Sequence, residues 1–237
     1  MISLRKAQDR GHANYGWLDT WHTFSFGDYY DPAHMGFSVL RVINDDRVAP
    51  GAGFPTHGHR DMEILSYVIE GALEHADSMG NSSVIRAGEV QRMSAGTGVT
   101  HSECNASKTE PVHFLQIWLL PEEQGLEPGY EQRRFDIQDK RNTLQLIASP
   151  DGREESLTIH QAVSVFAGYL TSADRIVHRL AANTRAYVHV AGGALSLNGQ
   201  SLNAGDGARI GDEAKIELGS DSQGELLLFE LSDSVGG

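Results

Sequence analysis

Two short segments of this sequence place metal-binding side chains two residues apart. His57 and His59 follow a turn that contains glycine and proline, and His101 and Glu103 follow a second, glycine-rich turn. Successive side chains of a β-strand point to opposite faces, so residues i and i+2 share one face and can bind one ion. Together the segments offer three imidazoles and one carboxylate, a ligand set that suits a divalent first-row transition metal.

The parity of these residues predicts how the strands meet. His57 and His59 share a face, as do His101 and Glu103, so we expect the four side chains to converge from two neighbouring strands without a β-bulge. Glu63 has the same parity but lies about 13 Å beyond His59 at about 3.3 Å per residue, so we expect it to bond a neighbouring residue rather than the ion. Four protein ligands leave one or two positions open on an octahedral ion, which indicates chemistry or ligand capture rather than a closed structural site.

The other histidines are weaker ligand candidates, and those of the second half have no partner two residues away. Those of the first half, which we expect on the surface or in structural hydrogen bonds, are His12, His22, His34, His75 and His113, with His22 a candidate for the border of a pocket. Those of the second half are His160, His178 and His189. Cys104 points away from the face of His101 and Glu103, which favours a small buried apolar residue over a ligand.

Aromatic residues cluster near the N-terminus and predict part of the core. A subset is expected to line a cavity for a flat substrate. The candidates are Trp17, Trp21, Phe24, Phe26, Phe37 and Phe54.

Composition sets limits on the function. The chain has 237 residues, of which 40% are hydrophobic, and a formal net charge of −13. That charge disfavours direct binding of nucleic acid or anionic lipid, which needs concentrated Lys and Arg. No apolar run approaches the roughly 20 residues that span a bilayer, and no signal-peptide core is present, so no membrane association is expected. Cys104 is the only cysteine, which excludes an internal disulfide and predicts a cytoplasmic location.

Short strands and turn signals recur along the whole chain, and no helix-length period separates them, so the sequence predicts an all-β fold. Residues 21–26 alternate aromatic and polar side chains as a strand does, and residues 37–43 form a second strand that the polar run 44–46 is expected to end. Asn198-Gly199 predicts a hairpin with a type I′ turn.

A polar segment rich in proline and glycine, residues 121–130, predicts a domain boundary. The second half repeats the strand pattern of the first without its metal-binding pairs, so the halves are predicted to be two copies of one β-unit. We place the first domain at residues 1–135 and the second at residues 136–237.

The spacing of glycines and ligands resembles the two motifs of the cupin fold. The matching positions are Gly51, His57, His59, Gly71, Gly88, Gly98, His101 and Asn105. One position departs from the pattern, because Ile64 stands where cupins usually have a glutamate ligand. Longer strings at residues 10–13, 17–26, 35–37, 57–63, 93–98, 101–103 and 130–135 are similar to the pirin family, in particular to its bacterial members with quercetinase activity.

The resemblance implies a bicupin, with two antiparallel β-barrel or jelly-roll domains packed in one chain and metal bound only in the first. The implied ligands are His57, His59, His101 and Glu103. The implied ion is Fe(II), with Cu, Mn, Co or Ni acceptable. The implied activity is a dioxygenase that uses O₂ to open a flavonol such as quercetin with release of carbon monoxide, and Glu103 is the candidate catalytic base because it is the only anionic ligand.

Eukaryotic members of the family suggest an alternative, a metal- or redox-sensing partner of a regulatory protein without turnover. A monomer is expected, since two β-domains in one chain can bury against each other the surface that a single cupin buries by dimerising.

Overall fold

A computed structural model of the chain describes residues 1–140, 142–181 and 183–232. These residues form β-strands almost throughout, which confirms the predicted all-β class. Only two short 3₁₀ helices occur among them, Ala7–Asp9 and Arg153–Glu155. None of the described helices is long and apolar enough to cross a membrane.

The strands of the first half are β1 Ile2–Arg5, β2 Gly11–Asn14, β3 Leu18–His22, β4 Leu40–Val48, β5 Gly53–His59, β6 Glu63–Glu70, β7 Ala72–Asp77, β8 Ser82–Arg86, β9 Glu89–Ser94, β10 Val99–Asn105, β11 Val112–Leu119 and β12 Gly129–Arg134. Those of the second half are β13 Leu144–Ser149, β14 Leu157–Thr158, β15 Val163–Thr171, β16 Arg175–Arg179, β17 Thr184–Leu197, β18 Gln200–Asn203, β19 Gly207–Ile210, β20 Lys215–Gly219 and β21 Gln223–Ser232.

The chain divides into two compact units. The N-terminal unit comprises Gly11–Arg134 with Leu157–Gln161, and the C-terminal unit comprises Met1–Arg10, Phe135–Ser156 and the chain from Ala162. The predicted range 1–135 is therefore wrong for its first ten residues, because β1 pairs antiparallel with β19 over Ile2↔Ile210 to Arg5↔Gly207.

The N-terminal unit consists of two antiparallel sheets. Its four-stranded sheet has the order β5-β10-β7-β8, and its seven-stranded sheet has the order β12-β9-β6-β11-β4-β3-β2. Apolar residues of both sheets form one buried cluster, in which Leu73 and Ile85 of the smaller sheet pack with Val48, Val68 and Phe114 of the larger. This arrangement is typical of a jelly roll, where strand alternation directs one face of each sheet into a shared core.

The C-terminal unit is organised around the long strand β17, which pairs with β18, β19, β20 and β21. Its core contains Val188, Leu197, Leu218 and Leu228. The predicted Asn198-Gly199 hairpin is confirmed, since Leu197 pairs with Gln200 and both turn residues have positive φ, 47° and 78°.

Two local predictions about the first half are wrong. The strand expected at residues 21–26 ends at His22, and the polar run at residues 44–46 does not end its strand but lies inside β4, which continues to Val48. Pairing with β11, which places Asn44 opposite Gln116 and Asp46 opposite Phe114, holds these polar residues in the sheet.

Candidate metal centre

Strands β5 and β10 bring the two predicted ligand pairs together. His101 lies opposite His57 and Val99 opposite His59, but the register then shifts, so that Glu103 lies opposite Phe54. The expectation of a bulge-free pairing is therefore wrong. Between these pairs β5 has one residue more than β10, and this stretch contains Pro55, which has no N–H to donate to the ladder.

The three imidazoles converge on one point through the same ring atom. The Nε2 atom of His101 lies 2.9 Å from Nε2 of His59 and 3.1 Å from Nε2 of His57. Two nitrogens that each lie about 2.1 Å from one ion and subtend a right angle are about 3 Å apart. The spacing of the three nitrogens therefore fits a shared metal ion.

The protonation of the rings also fits this interpretation. Burial, together with the nearby His57, lowers the pKa of His59 to about 4. Burial and the neighbouring histidines lower the pKa of His101 to about 3. His57 directs its Nδ1 at the carbonyl oxygen of Pro55, 2.8 Å away; a carbonyl only accepts, so Nδ1 is the donor and the lone pair of the neutral ring lies on Nε2.

Glu103 lies at the same site but is held by the facing sheet. Ser66 Oγ donates to its Oε1 at 3.1 Å, and Gln116 Nε2 donates to its Oε2 at 2.6 Å. Burial and the nearby Asp46 raise the pKa of Glu103 to about 7. Its carboxyl lies close to His101 and His75 and lines a cavity together with His57 and His59.

His75 lies behind His101 and was not singled out by the sequence. Its Nδ1 is 3.4 Å from Nδ1 of His101, and its Nε2 is 3.1 Å from Oδ2 of Asp77. Burial is the main cause of its lowered pKa, opposed by the hydrogen bond and charge of Asp77. Burial alone would raise the pKa of Asp77, but hydrogen bonds from Asn81, His75 and Met79 lower it below its usual value.

A cavity of about 280 Å³ opens beside the histidines. Its walls combine three aromatic residues with two of the histidines and several polar groups. The lining residues are Phe26, Asn44, Asp46, Phe54, Pro55, His57, His59, Glu103, Gln116 and Trp118. Phe26 and Phe54 were among the predicted lining residues, whereas Phe37, Trp17, Trp21 and Phe24 do not line it.

Sequence reasoning did not predict five of the lining residues, Asn44, Asp46, Pro55, Gln116 and Trp118. Asn44 and Asp46 were assigned to a polar run expected to end a strand, and Trp118 was not among the aromatic candidates. Within the described part of the chain, the buried atoms Asp46 Oδ1 and Trp118 Nε1 have no hydrogen-bond partner. The even parity that Asn44 and Asp46 share in β4 was the available signal for a common face.

Other predicted positions lie outside the histidine cluster. Glu63 is 1% exposed and accepts a hydrogen bond from the backbone N–H of His160 at 3.1 Å, in agreement with its expected contact to a neighbouring residue. His22 bonds Oδ1 of Asn44 at 2.8 Å and so adjoins the cavity through that residue. Cys104 is partly exposed rather than buried.

Groups of three or more potential ligands occur, within the described ranges, only in the N-terminal unit. One group is His57, His59 and His101, and the other is His75, His101 and Glu103. In the C-terminal unit His178 instead bonds Oε1 of Glu230 at 2.7 Å.

Two β-units in one chain, the first of them with a histidine cluster beside a cavity, define the class of this protein as a bicupin. The chain matches the family model Pirin over residues 3–119 and the model of the quercetinase C-terminal cupin domain over residues 146–231. The chain belongs to the pirin family.

Relatives support this assignment along the whole length. The chain is 54% identical to a quercetin 2,3-dioxygenase of Escherichia coli K12, over 98% of this chain and 99% of the relative. It is 42% identical to a putative quercetin 2,3-dioxygenase of Pasteurella multocida, over 98% of this chain and all of the relative. The crystal structure of the E. coli pirin YhhW in complex with nickel(II) superimposes with a TM-score of 0.93 at 52% identity, covering 98% of this chain and 99% of that one.

Proposed function

We propose that this protein is a metal-dependent dioxygenase that opens the ring of a flavonol such as quercetin, consuming one O₂ and releasing one carbon monoxide. The observation that carries the proposal is the convergence of three imidazole Nε2 atoms, 2.9 and 3.1 Å apart, at a cavity with aromatic walls. The activity named for the E. coli relative supports the substrate class.

His57, His59 and His101 would hold the ion, with Glu103 as the fourth ligand. A divalent metal bound there supplies a Lewis acid that lowers the pKa of a phenolic hydroxyl. Three neutral nitrogens and a carboxylate accept several first-row ions, so affinity alone does not select one. We propose Fe(II) as the native ion, with Cu, Mn, Co or Ni able to replace it.

Glu103 is the proposed base for the 3-hydroxyl of the flavonol. It is the only anionic group among the four proposed ligands, so it can exchange between the ion and the proton of the hydroxyl. Ser66 and Gln116 each donate to one of its oxygens, so the carboxyl is held at a fixed orientation.

The cavity walls fit a flat, polyhydroxylated ligand. The rings of Phe26 and Trp118 are edge-to-face with centroids 5.3 Å apart, so they offer an aromatic guest two perpendicular apolar surfaces. Asp46 Oδ1 and Trp118 Nε1 are buried without partners in the described chain, which offers a ligand one acceptor and one donor. A buried polar atom without a partner disfavours a purely apolar ligand.

The assay follows the loss of quercetin absorption with time, with and without a chelator. The metal-loaded protein is expected to consume quercetin and release carbon monoxide, and a chelator is expected to stop both. His101→Ala should lose the ion, whereas Glu103→Gln should keep the shape of the site and lose about 100-fold or more in rate. His34→Ala is the control, since His34 does not line the cavity.

Two outcomes would change the assignment. Full metal content and undiminished turnover in Glu103→Gln would show that another group is the base. Absence of turnover with Fe, Cu, Mn, Co and Ni in turn would replace the enzyme by the alternative function, a metal- or redox-sensing partner of another protein. A monomer in the cytoplasm, with no direct nucleic-acid or membrane contact, is part of the same proposal.

A further inference from the structure

Strand β7 places two ionisable side chains directly behind one of the proposed ligands. In the antiparallel pairing of β10 with β7, His101 lies opposite Asp77 and Glu103 lies opposite His75. All four residues have odd positions, so their side chains share the inner face of the sheet. The side chains of His75 and Asp77 are each 0% exposed.

These side chains form one continuous chain of hydrogen bonds. Nδ1 of His101 faces Nδ1 of His75 at 3.4 Å, and Nε2 of His75 faces Oδ2 of Asp77 at 3.1 Å. Asp77 is itself fixed by Asn81, whose side-chain Nδ2 donates to Oδ2 at 2.9 Å and whose backbone N–H donates to Oδ1 at 3.0 Å.

The order of donors in these hydrogen bonds fixes which ring nitrogen of His101 keeps a lone pair. The carboxylate of Asp77 accepts, so Nε2 of His75 donates to it, and Nδ1 of a neutral His75 then accepts from Nδ1–H of His101. His101 is left with a lone pair on Nε2, the atom that faces Nε2 of His57 and His59. The opposite tautomer would put a proton between the three converging nitrogens and compete with the ion.

We propose that His75 and Asp77 are positioning residues of the metal site, which hold His101 in the tautomer and orientation that ligation through Nε2 requires. The inference rests on the metal site proposed above. Neither residue is among the proposed ligands, and neither lines the cavity. Partners of this kind on the second nitrogen of a ligating histidine typically change metal affinity by about 10- to 100-fold.

Packing holds the hydrogen-bonded series His101, His75 and Asp77, here called the relay, in place. The ring of Tyr130 stacks on that of His75, with centroids 5.0 Å apart and an interplanar angle of 28°, and His101 lies against it with a centroid distance of 5.3 Å. His75 is thereby enclosed between two rings, and a rotation that breaks the contact with His101 would displace a neighbour. His57 needs no such support, because its Nδ1 is fixed by Pro55 of its own strand.

A second ion is the competing explanation of the same cluster. His75, His101 and Glu103 offer ligand atoms within 4.8 Å of one another, and two ions could share His101 as a bridge. The contacts of His75 with Asp77 and of Glu103 with Ser66 and Gln116 favour the relay. The number of ions per chain therefore separates the two explanations.

The test uses three variants and a matched control. His75→Phe keeps a ring under Tyr130 but removes the acceptor, His75→Gln restores an acceptor oxygen, and Asp77→Asn weakens the far end of the relay. His12→Phe is the control, because His12 also bonds a carboxylate through Nε2, that of Asp19 at 2.6 Å, and also stacks on an aromatic ring, that of Trp21 at 4.0 Å.

The first readout is Ni(II) affinity, measured by competition with a chelator of known affinity. We expect affinity to fall about 10- to 100-fold in His75→Phe and Asp77→Asn, to recover in His75→Gln and to stay within about twofold in His12→Phe. The second readout is the histidine tautomer in metal-free, ¹⁵N-histidine-labelled protein. His101 should carry its proton on Nδ1 in the wild type and on Nε2 in His75→Phe, a change that a general loss of packing would not produce.

The outcomes separate the relay from the proposed activity. Wild-type affinity and an unchanged tautomer in His75→Phe would overturn the relay, as would two ions per chain with one lost in that variant. Asp77→Asn, which keeps the side-chain volume, decides the matter if His75→Phe does not fold. A protein whose Ni(II) affinity depends on His75 and Asp77 as expected, but which leaves quercetin unchanged, would support this inference and overturn the proposed function.

Discussion

Replacing Asp46 by Asn should stabilise the metal-free protein, and more so at high pH. Asp46 is buried on the cavity wall, and burial, with the charge of the neighbouring Asp45, raises its pKa from 3.8 to about 7. A difference of about three units corresponds to about 4 kcal/mol between the two protonation states. The folded protein therefore opposes ionisation of this carboxyl, and the amide of Asn removes that penalty while keeping the volume.

The direction of this pH dependence of stability follows from proton linkage. Because the folded-state pKa exceeds the unfolded value, the contribution of Asp46 to stability is fully present below about pH 4 and is lost as the pH rises through about 7. Relative to the wild type, Asp46→Asn should raise the free energy of unfolding by about 2 kcal/mol at pH 5 and by about 4 kcal/mol at pH 8.

Urea denaturation of both metal-free proteins at pH 5 and pH 8 measures the difference. Asp28→Asn, at an exposed carboxyl of the same unit, is the control and should show no such pH-dependent gain. A stability difference that is equal at the two pH values, or an Asp46→Asn protein that is less stable at pH 8, would refute the argument that burial suppresses the charge of Asp46.

Three further predictions concern the metal site and the assembly. Gly53→Ala should weaken Ni(II) binding in a competition assay, because the added Cβ would lie 2.4 Å from the carbonyl oxygen of Glu103 and push β5 away from β10. Gly58→Ala is the control and should bind Ni(II) normally, since the nearest atom to its added Cβ is 3.8 Å away. Elemental analysis should find one ion per chain, and a second ion near His178 would contradict the restriction of metal to the N-terminal unit. Light scattering at micromolar concentration should give a monomer, and a stable dimer would contradict the expectation that one chain buries its own sheet surface.

Strand parity was sufficient to predict which side chains share a face, because it depends only on residue spacing. His57, His59 and His101 converge as that parity requires. The register between strands was not predictable in the same way, since it depends on long-range pairing and on the local bulge near Pro55. The sequence therefore located the histidines but not the offset of Glu103 relative to them.

The residues that sequence reasoning missed have their partners far away in the chain. His75 contacts His101 across a separation of 26 residues, and its spacing of two residues from Asp77 was the one local signal of a shared face. Asn44 and Asp46 were misassigned because consecutive polar residues are typical of turns. Their burial follows from pairing with β3 and with β11, a strand about 70 residues further on.

The buried polar residues of the larger sheet explain how Glu103 is held. In the pairing of adjacent strands, His22 lies opposite Asn44, Asn44 opposite Gln116 and Gln116 opposite Ser66, so a polar row crosses four strands at one level. Burial of such groups is unfavourable unless they are hydrogen-bonded, and the row satisfies itself through His22 with Asn44 and through Ser66 with Gln116. Gln116 Nε2 also donates to Glu103, and the single hydroxyl proton of Ser66 is directed either to Gln116 or to Glu103. A strictly apolar inner face would leave the buried carboxyl without donors, so the polar row orients this carboxyl at the cavity that His57 and His59 also line.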